Sequence, residues 1–392
     1  MVTILIEMEE TVMMRFFSIL ALLLILYVSG PYIKQKLENS DYGSAIGQVE
    51  SKINDVKDNP EVLAAFNTLS EKIQQLWGQL DLRLKDFPQP LQKEKTEDRE
   101  KLALKTPVGQ VFSVHNVELG ENKENIEHNL GQANRASLNE YGAKWYAYHD
   151  NYRDFFMVMY DEKNKAAGLY TNQDLIASAN RIKLGSSKES VRAALGEPLT
   201  KIQKGLMIYQ LQSNSDYDVF LLDGVYVTIF YDKHENNTVT AMQLINKDTE
   251  QKKHELYTES SPVLKEGFEY QLFDLTNASR VEHQLPILTW DNHVKETARK
   301  HSTDMAVNDY FDHTNRKGQS PFDRMKEDHI IFHLAGENLA YGQFSSIFAH
   351  EGLMNSLGHR ENILRDGYKY LGVGVAFNEQ SQPYYTENFY AK

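Results

Sequence analysis

The apolar and polar positions of this chain change their pattern several times. From Phe16 to Val28 the residues are almost all apolar, and the run continues through Ser29, Gly30 and Pro31 to Ile33. That is near the minimum of about 18 residues for a helix crossing a bilayer, so the pattern predicts a transmembrane signal-anchor over 13–33. The competing reading is a cleaved signal peptide, because the strictly apolar part is short and Val28-Ser29-Gly30 ends it with small residues. Met13-Met14-Arg15 makes a compact positive start, so Met13 or Met14 is a more ordinary initiator than Met1. Charge leaves the orientation open, since Arg15 precedes the run and Lys34 and Lys36 follow it. Residues 34–104 are polar, with Val62, Phe66, Leu69, Ile73, Leu76 and Leu80 at helical spacing before Pro88, Pro90 and a charged run. They read as a stalk containing one amphipathic helix, with too few heptads for a coiled coil.

Between 105 and 247 the chain repeats itself. Val117 to Gly131 (VELGENKENIEHNLG) is echoed by Ile182 to Gly196 (IKLGSSKESVRAALG). Each copy predicts a glycine turn, a short helix with Ile126 and Leu130, or Val191 and Leu195, facing inward, and a closing glycine. Glu197-Pro198 stops the second helix. Aromatic and β-branched runs follow, Trp145 to Tyr160 and Val225 to Tyr231, so each unit reads as a helix plus antiparallel strands. Neither copy has the Lys-Ser/Thr of a phosphate-binding loop, which leaves the glycines as turn and cap residues. The many tyrosines either stack on sugars or lipids or cover an exposed antiparallel face.

A polar linker over 248–265 leads into a further domain over 266–392. Phe268, Leu272, Leu275 and Val281 mark one helix face, and Val294, Ala298 and Met305 another. Ser320-Pro321-Phe322-Asp323 opens a third helix with a capping-box pattern and proline at the first helical position, and Ser345 to Ser356 can form one more. Leu371 to Phe377 and Pro383 to Tyr390 read as a closing hairpin, with Gly372 and Gly374 permitting close approach. Helices on either side of strands suit a three-layered α-β-α domain.

Composition narrows the chemistry. With 55 acidic against 42 basic residues in 392, a net charge of −13 and no basic, aromatic-interleaved patch, nucleic acid is not an expected partner. The absence of cysteine excludes disulfides, thiolate metal sites, a cysteine nucleophile and an acylated cysteine.

Three motifs near the C-terminus place imidazoles and carboxylates beside turn residues: FDHTN (Phe311 to Asn315), AGENLA (Ala335 to Ala340) and GHRENIL (Gly358 to Leu364). His313, Glu337 and His359 are thereby candidates for one shared cleft. Two neutral imidazoles and a carboxylate form a ligand set for Zn²⁺ or another divalent cation. Alternatively, the same groups hydrogen-bond one another and hold the loops without a metal. His350-Glu351 begins like a metalloprotease helix, but Met354 stands where the second histidine would be. Ser356 lies close to His359 without a nucleophile elbow or an evident third member. His301, within a helical pattern, reads as a satisfied, partly buried histidine.

With LTNASR (Leu275 to Arg280), LPILTWD (Leu285 to Asp291) and ARKHSTDMA (Ala298 to Ala306) upstream, the last third of the chain resembles the CAP superfamily of cysteine-rich secretory, antigen 5 and pathogenesis-related proteins. The duplicated block resembles the CAP-associated N-terminal domain of Bacillus-type membrane-anchored proteins. The implied fold is α+β: a C-terminal α-β-α sandwich preceded by a duplicated α+β domain and an N-terminal membrane helix. The resemblance implies a cleft of two histidines and two acidic residues. Its fourth member is Glu351, about a turn early for the pattern, or Glu361, with Asn355 or Ser356 nearer the expected place. It also implies a location outside the cell membrane and a single-pass anchor. The function expected is a binding module for an envelope lipid, polysaccharide or protein, the alternative being a metal-dependent hydrolase with Glu351 or Glu361 as general base.

Overall fold

A computed structural model describes residues 102–211 and 216–392. The expected anchor and nearly all of the expected stalk lie outside the described residues. Among the described residues no helix is long and apolar enough to cross a membrane.

The first part of the chain forms a mixed α+β domain. Strand β1 (Phe112–Val114) and helix α1 (Lys123–Leu130) precede β2 (Arg135–Leu138), β3 (Lys144–Asp150), β4 (Arg153–Tyr160), β5 (Ala166–Thr171) and β6 (Ile176–Ser178). Helix α2 (Lys188–Leu195) then leads to β7 (Lys201–Lys204), β8 (Met207–Gln210), β9 (Tyr217–Leu222), β10 (Val225–Asp232) and β11 (Thr238–Asn246). One seven-stranded sheet runs in the order β2-β3-β4-β5-β11-β10-β9, with β5 and β11 antiparallel at its centre.

The two stretches of like sequence are anchored alike. Gly120 N–H donates to the Ala166 carbonyl at 2.7 Å, and Gly185 N–H to the Val239 carbonyl at 2.9 Å. Both glycines have positive φ, +90° and +79°, a turn that a side chain would strain. Ile126 and Val191 are buried as expected. Leu130, expected inward, is the last residue of α1 and is 36% exposed.

The sheet is covered on both faces. Phe156, Val158, Leu169, Val227 and Leu244 pack beneath α1, α2 and β1, whereas Trp145, Met157, Tyr170, Phe230 and Ile245 share a core with the C-terminal domain. Tyr148, Tyr152, Tyr170 and Tyr231 are consequently buried rather than spread over an exposed face.

The expected linker carries a short helix, α3 (Lys247–Lys252), and Tyr257 Oη donates to the Gly342 carbonyl at 2.8 Å. Helix α4 (Pro262–Glu282) starts where Ser261 Oγ accepts the Leu264 N–H, with proline at the head of the helix. Strand β12 (Thr289–Trp290) and helix α5 (Asn292–Asn308), capped by Asp291, come next. Helix α6 (Pro321–Glu327) has the full Ser320/Asp323 capping box. Then follow β13 (Leu334–Tyr341), α7 (Ser346–Met354), α8 (Leu357–Ile363), β14 (Tyr370–Phe377) and β15 (Pro383–Ala391).

The strands order β12-β14-β15-β13, which leaves β13 at an edge. Leu371, Val373 and Val375 of β14 join Phe268, Leu272 and Leu275 of α4 on one side. On the other side α5 lies directly on the backbone: a Cβ at Gly372 would come within 2.3 Å of Lys295 N, and one at Gly374 within 2.1 Å of Arg299 N. Helices thus cover both faces of the sheet.

Helix α4 also grips the first domain. A Cβ at Gly267 would sit 2.1 Å from the Leu138 carbonyl. Asp274 accepts from Arg135 Nε at 2.9 Å and from Tyr152 Oη at 2.9 Å.

Candidate functional site

The cleft forms across edge strand β13. Along a strand, alternate side chains point to opposite faces, so Glu337 and Asn338 look into different helical layers. Glu337 faces α6, where Arg324 Nη2 donates to its Oε2 at 2.7 Å; both side chains are buried. Glu337 Oε1 lies 2.9 Å from His313 Nδ1, on the loop after α5. A carboxylate only accepts, so that nitrogen carries the proton. Arg324 Nη1 fixes the same loop by donating to the His313 carbonyl at 2.7 Å and the Gln319 carbonyl at 3.0 Å. His313 itself is half exposed.

His359 comes from the opposite layer, on α8. Its Nδ1 is 2.7 Å from Ser356 Oγ, a contact between the residue at the head of the helix and one a turn later. Burial, and then the nearby His313, lower the His359 pKa, so its ring is neutral at neutral pH. Asn338 Nδ2 donates to the His359 carbonyl at 3.1 Å, and Asn362 Nδ2 to the Glu337 carbonyl at 3.2 Å and Asn338 Oδ1 at 3.0 Å. These amides lock α8 to β13. Arg360, next to His359 on α8, reaches the other domain and pairs with Asp232 at 2.8 Å.

The structure therefore brings His313, Glu337 and His359 to one edge, while Glu351, one candidate for a fourth member, turns away from it. Glu351, on α7, is buried against the first domain, where Tyr170 Oη donates to its Oε1 at 2.6 Å. Glu361 is exposed on α8. A different carboxylate lies behind the cleft: Glu387, fully buried on β15, accepts from Thr276 Oγ1 at 2.8 Å and Asn338 Nδ2 at 3.1 Å. Burial pushes it up to about 7.

Sequence reasoning also missed Arg324, which resembled an ordinary basic residue in the last turn of a helix. His301 is buried as expected but only half satisfied: its Nε2 lies 2.9 Å from the Asp312 carbonyl, whereas its Nδ1 is buried without a hydrogen-bond partner among the described residues.

Donor chemistry tests the implied metal. Glu337 has one oxygen on Arg324 and the other on His313, so its charge is already compensated and it is a weaker ligand for an ion than an unpaired carboxylate. Among the described residues no group of three or more His, Asp or Glu side chains is arranged to hold a metal ion. His313, His359 and Glu337 are thus not assembled as a three-membered ligand set in this arrangement; two imidazole edges remain, with Glu337 behind one of them. What the cleft offers is a neutral imidazole, a hydrogen-bonded imidazole and a rigid, charge-neutralised floor.

Residues 119–256 match the CAP-associated N-terminal family, and residues 273–389 the cysteine-rich secretory protein family (CAP). Over 290 residues the chain is 29% identical to the membrane protein YlbC of Bacillus subtilis (strain 168), spanning 69% of this chain and 82% of that one. It is 38% identical over 135 residues to YkwD of the same organism, 34% of this chain and about half (51%) of that relative. An extracellular protein containing a SCP domain from Bacillus anthracis str. Ames superposes with a TM-score of 0.61 at 24% identity, over 77% of this chain and 100% of that one. A cysteine-rich secretory protein from Staphylococcus aureus subsp. aureus Mu50 superposes with a TM-score of 0.57 at 15% identity, over 70% and 91%. At these identities the structural likeness speaks for the fold.

Proposed function

Since the chain belongs to the bacterial CAP superfamily, with a CAP-associated N-terminal domain ahead of its CAP domain, we propose that it is a ligand-binding module of the cell envelope. In this reading the apolar run from Phe16 to Ile33 holds it at the membrane, and the bulk of the chain lies outside. The names of its relatives support that placement: one is a membrane protein and another an extracellular one. We read residues 105–247 as an internal duplication whose halves have merged into one sheet, supported by the matching turns at Gly120 and Gly185.

The observation that carries the binding role is the state of Glu337. A buried carboxylate with both oxygens committed to a guanidinium and an imidazole is a positioning group, with no oxygen reserved to take a proton from attacking water. His313 and His359 then present ring edges to a polar ligand, a lipid headgroup, a polysaccharide or a peptide, over a floor of paired charges.

The test is sedimentation of the full chain with phospholipid vesicles and with purified wall polysaccharide. One of them should retain the protein, and His313→Ala/His359→Ala should weaken retention about tenfold, the value of one lost charge-assisted hydrogen bond. Retention unchanged in the double variant would overturn the assignment to this cleft. Divalent-metal-dependent turnover of wall fragments, lipids or peptides would replace binding by hydrolysis.

A further inference from the structure

The histidine cleft continues onto a pair of exposed aromatic rings. Phe311 precedes His313 by two residues on the loop after α5, and Tyr341 follows Glu337 by four on β13. Two contacts tie these segments together. His313 Nδ1 meets Glu337 Oε1 at 2.9 Å, and the ring centroids of Phe311 and Tyr341 are 5.9 Å apart at an interplanar angle of 35°. The loop therefore runs alongside the strand and opposite to it in direction. Glu337, Leu339 and Tyr341 share one face of β13, and Leu339 is buried in a small core with Met305, Ala306 and Tyr384. Phe311 and Tyr341 remain 48% and 36% exposed. From Glu337 to Tyr341 the strand covers about 13 Å, at roughly 3.3 Å per residue.

Both rings are held in place. Tyr341 lies 4.3 Å from the ring of the buried Tyr384, and its Oη donates to Gln382 Oε1 at 2.8 Å. The loop bearing Phe311 is anchored on either side of it: Tyr310 Oη donates to Asp304, the Asp312 carbonyl meets His301 Nε2 at 2.9 Å, and the His313 carbonyl accepts from Arg324 at 2.7 Å. A ligand would thus meet rings that are ordered before it arrives. The charges flanking Phe311 in the chain are those of Asp309 and Asp312, both exposed, while Arg324 is paired with Glu337. An anionic polymer or headgroup would be repelled there. Hydroxyl groups would not: Asp312 Oδ1 accepts the Thr314 N–H at 2.7 Å, and a carboxylate has capacity for further donors.

Resting on the reading of the cleft as a binding site, we propose that its ligand is a neutral polysaccharide whose sugar rings stack on Phe311 and Tyr341 while its hydroxyls reach Asp312 and His313. A sugar ring has an apolar C–H face and a polar rim, which matches ring faces bordered by hydrogen-bonding groups. One exposed aromatic ring would mean little. Two rings joined to a polar cleft by a common loop and a common strand form a track, and its length calls for several linked sugars. Acyl chains have no use for the acceptors beside the rings, and an anionic headgroup would face Asp309 and Asp312.

Calorimetric titration of the full chain with chitotetraose, a neutral tetrasaccharide, tests this, with N-acetylglucosamine as the short comparator and a hyaluronan tetrasaccharide as the anionic one. Chitotetraose should bind about tenfold or more tightly than either. Phe311→Ala should weaken it about tenfold, and Phe311→Leu nearly as much, since leucine keeps apolar area without a ring face. Phe311→Tyr should bind like the parent. Binding lost in His313→Ala/His359→Ala but unchanged in both Phe311→Ala and Tyr341→Ala would overturn the stacking track and leave the cleft reading standing. Histidine-dependent retention by phosphatidylglycerol vesicles with no binding of chitotetraose would do the same. Binding lost in Phe311→Ala yet unchanged in the histidine double variant would support the track and end the assignment to the histidines. No binding of chitotetraose, or equal binding of the hyaluronan tetrasaccharide, would overturn the proposal.

Discussion

Glu337 and Glu351 lie fourteen positions apart in the sequence, about as buried as each other at 6% and 4% exposure, yet they are held in opposite ways. Glu337 rests against Arg324 and His313, so its charge is compensated at the site. Glu351 receives a tyrosine hydroxyl, and burial pushes it up to about 7. Compensation makes the first carboxylate a structural element of the cleft. In the second, desolvation dominates, with the nearby Arg360 set against Asp232, so its ionised form is a standing cost.

The largest effect should come from breaking the compensated site. Arg324→Met leaves Glu337 buried without its guanidinium and should cost about 3–5 kcal/mol in urea unfolding. Adding Glu337→Gln should restore much of that loss. A cost under about 1 kcal/mol for Arg324→Met would end the contrast drawn above.

Glu351→Gln should do the reverse. The folded-state carboxyl titrates near 7 against 4.5 for the free group, so the folded protein holds a proton that the unfolded chain has already lost. Its contribution to stability therefore falls as pH rises from about 4.5 to 7 and is constant above. Glu351→Gln should be more stable than the parent by about 2–3 kcal/mol at pH 8 and nearly equal to it at pH 4, measured by denaturation at both pH values. A gain that does not depend on pH would show that Glu351 is not the titrating group.

Glu387 is an intermediate case, buried with neutral donors alone among its hydrogen bonds. Thr276→Val removes one of them and should cost about 1–2 kcal/mol, without altering the histidine cleft's exposed edge. The smallest change should be His313→Ala. Its half-exposed ring leaves the Arg324 pair in place, so stability should shift by less than about 1 kcal/mol while ligand retention falls.

Much of this fold is local and hence legible. Ser320-Pro321 and Ser345 begin helices as expected, and Ser261-Pro262, read as linker, begins one too, because the capping oxygen and the N–H it satisfies lie within three residues of each other. Gly372 and Gly374 announced the close approach that α5 makes. His313, Glu337 and His359 stood out as candidates because each sits in a short motif beside turn residues. The fourth position was not legible. Helix α7 buries Ile347, Ala349, His350, Glu351, Leu353 and Met354, so no apolar stripe told which way Glu351 looks.

The sequence by itself determined where helices and strands begin, which residues could meet at the cleft, and the family to which the chain belongs, since these depend on neighbours a few positions away. Only the tertiary structure decided which charge meets which. Arg324 compensates Glu337, Arg360 turns away from its own motif to Asp232, and Asp274 meets Arg135 and Tyr152 of the other domain. Charge pairing falls off over a few ångströms of space, and separation along the chain carries no information about that distance once it exceeds a helical turn.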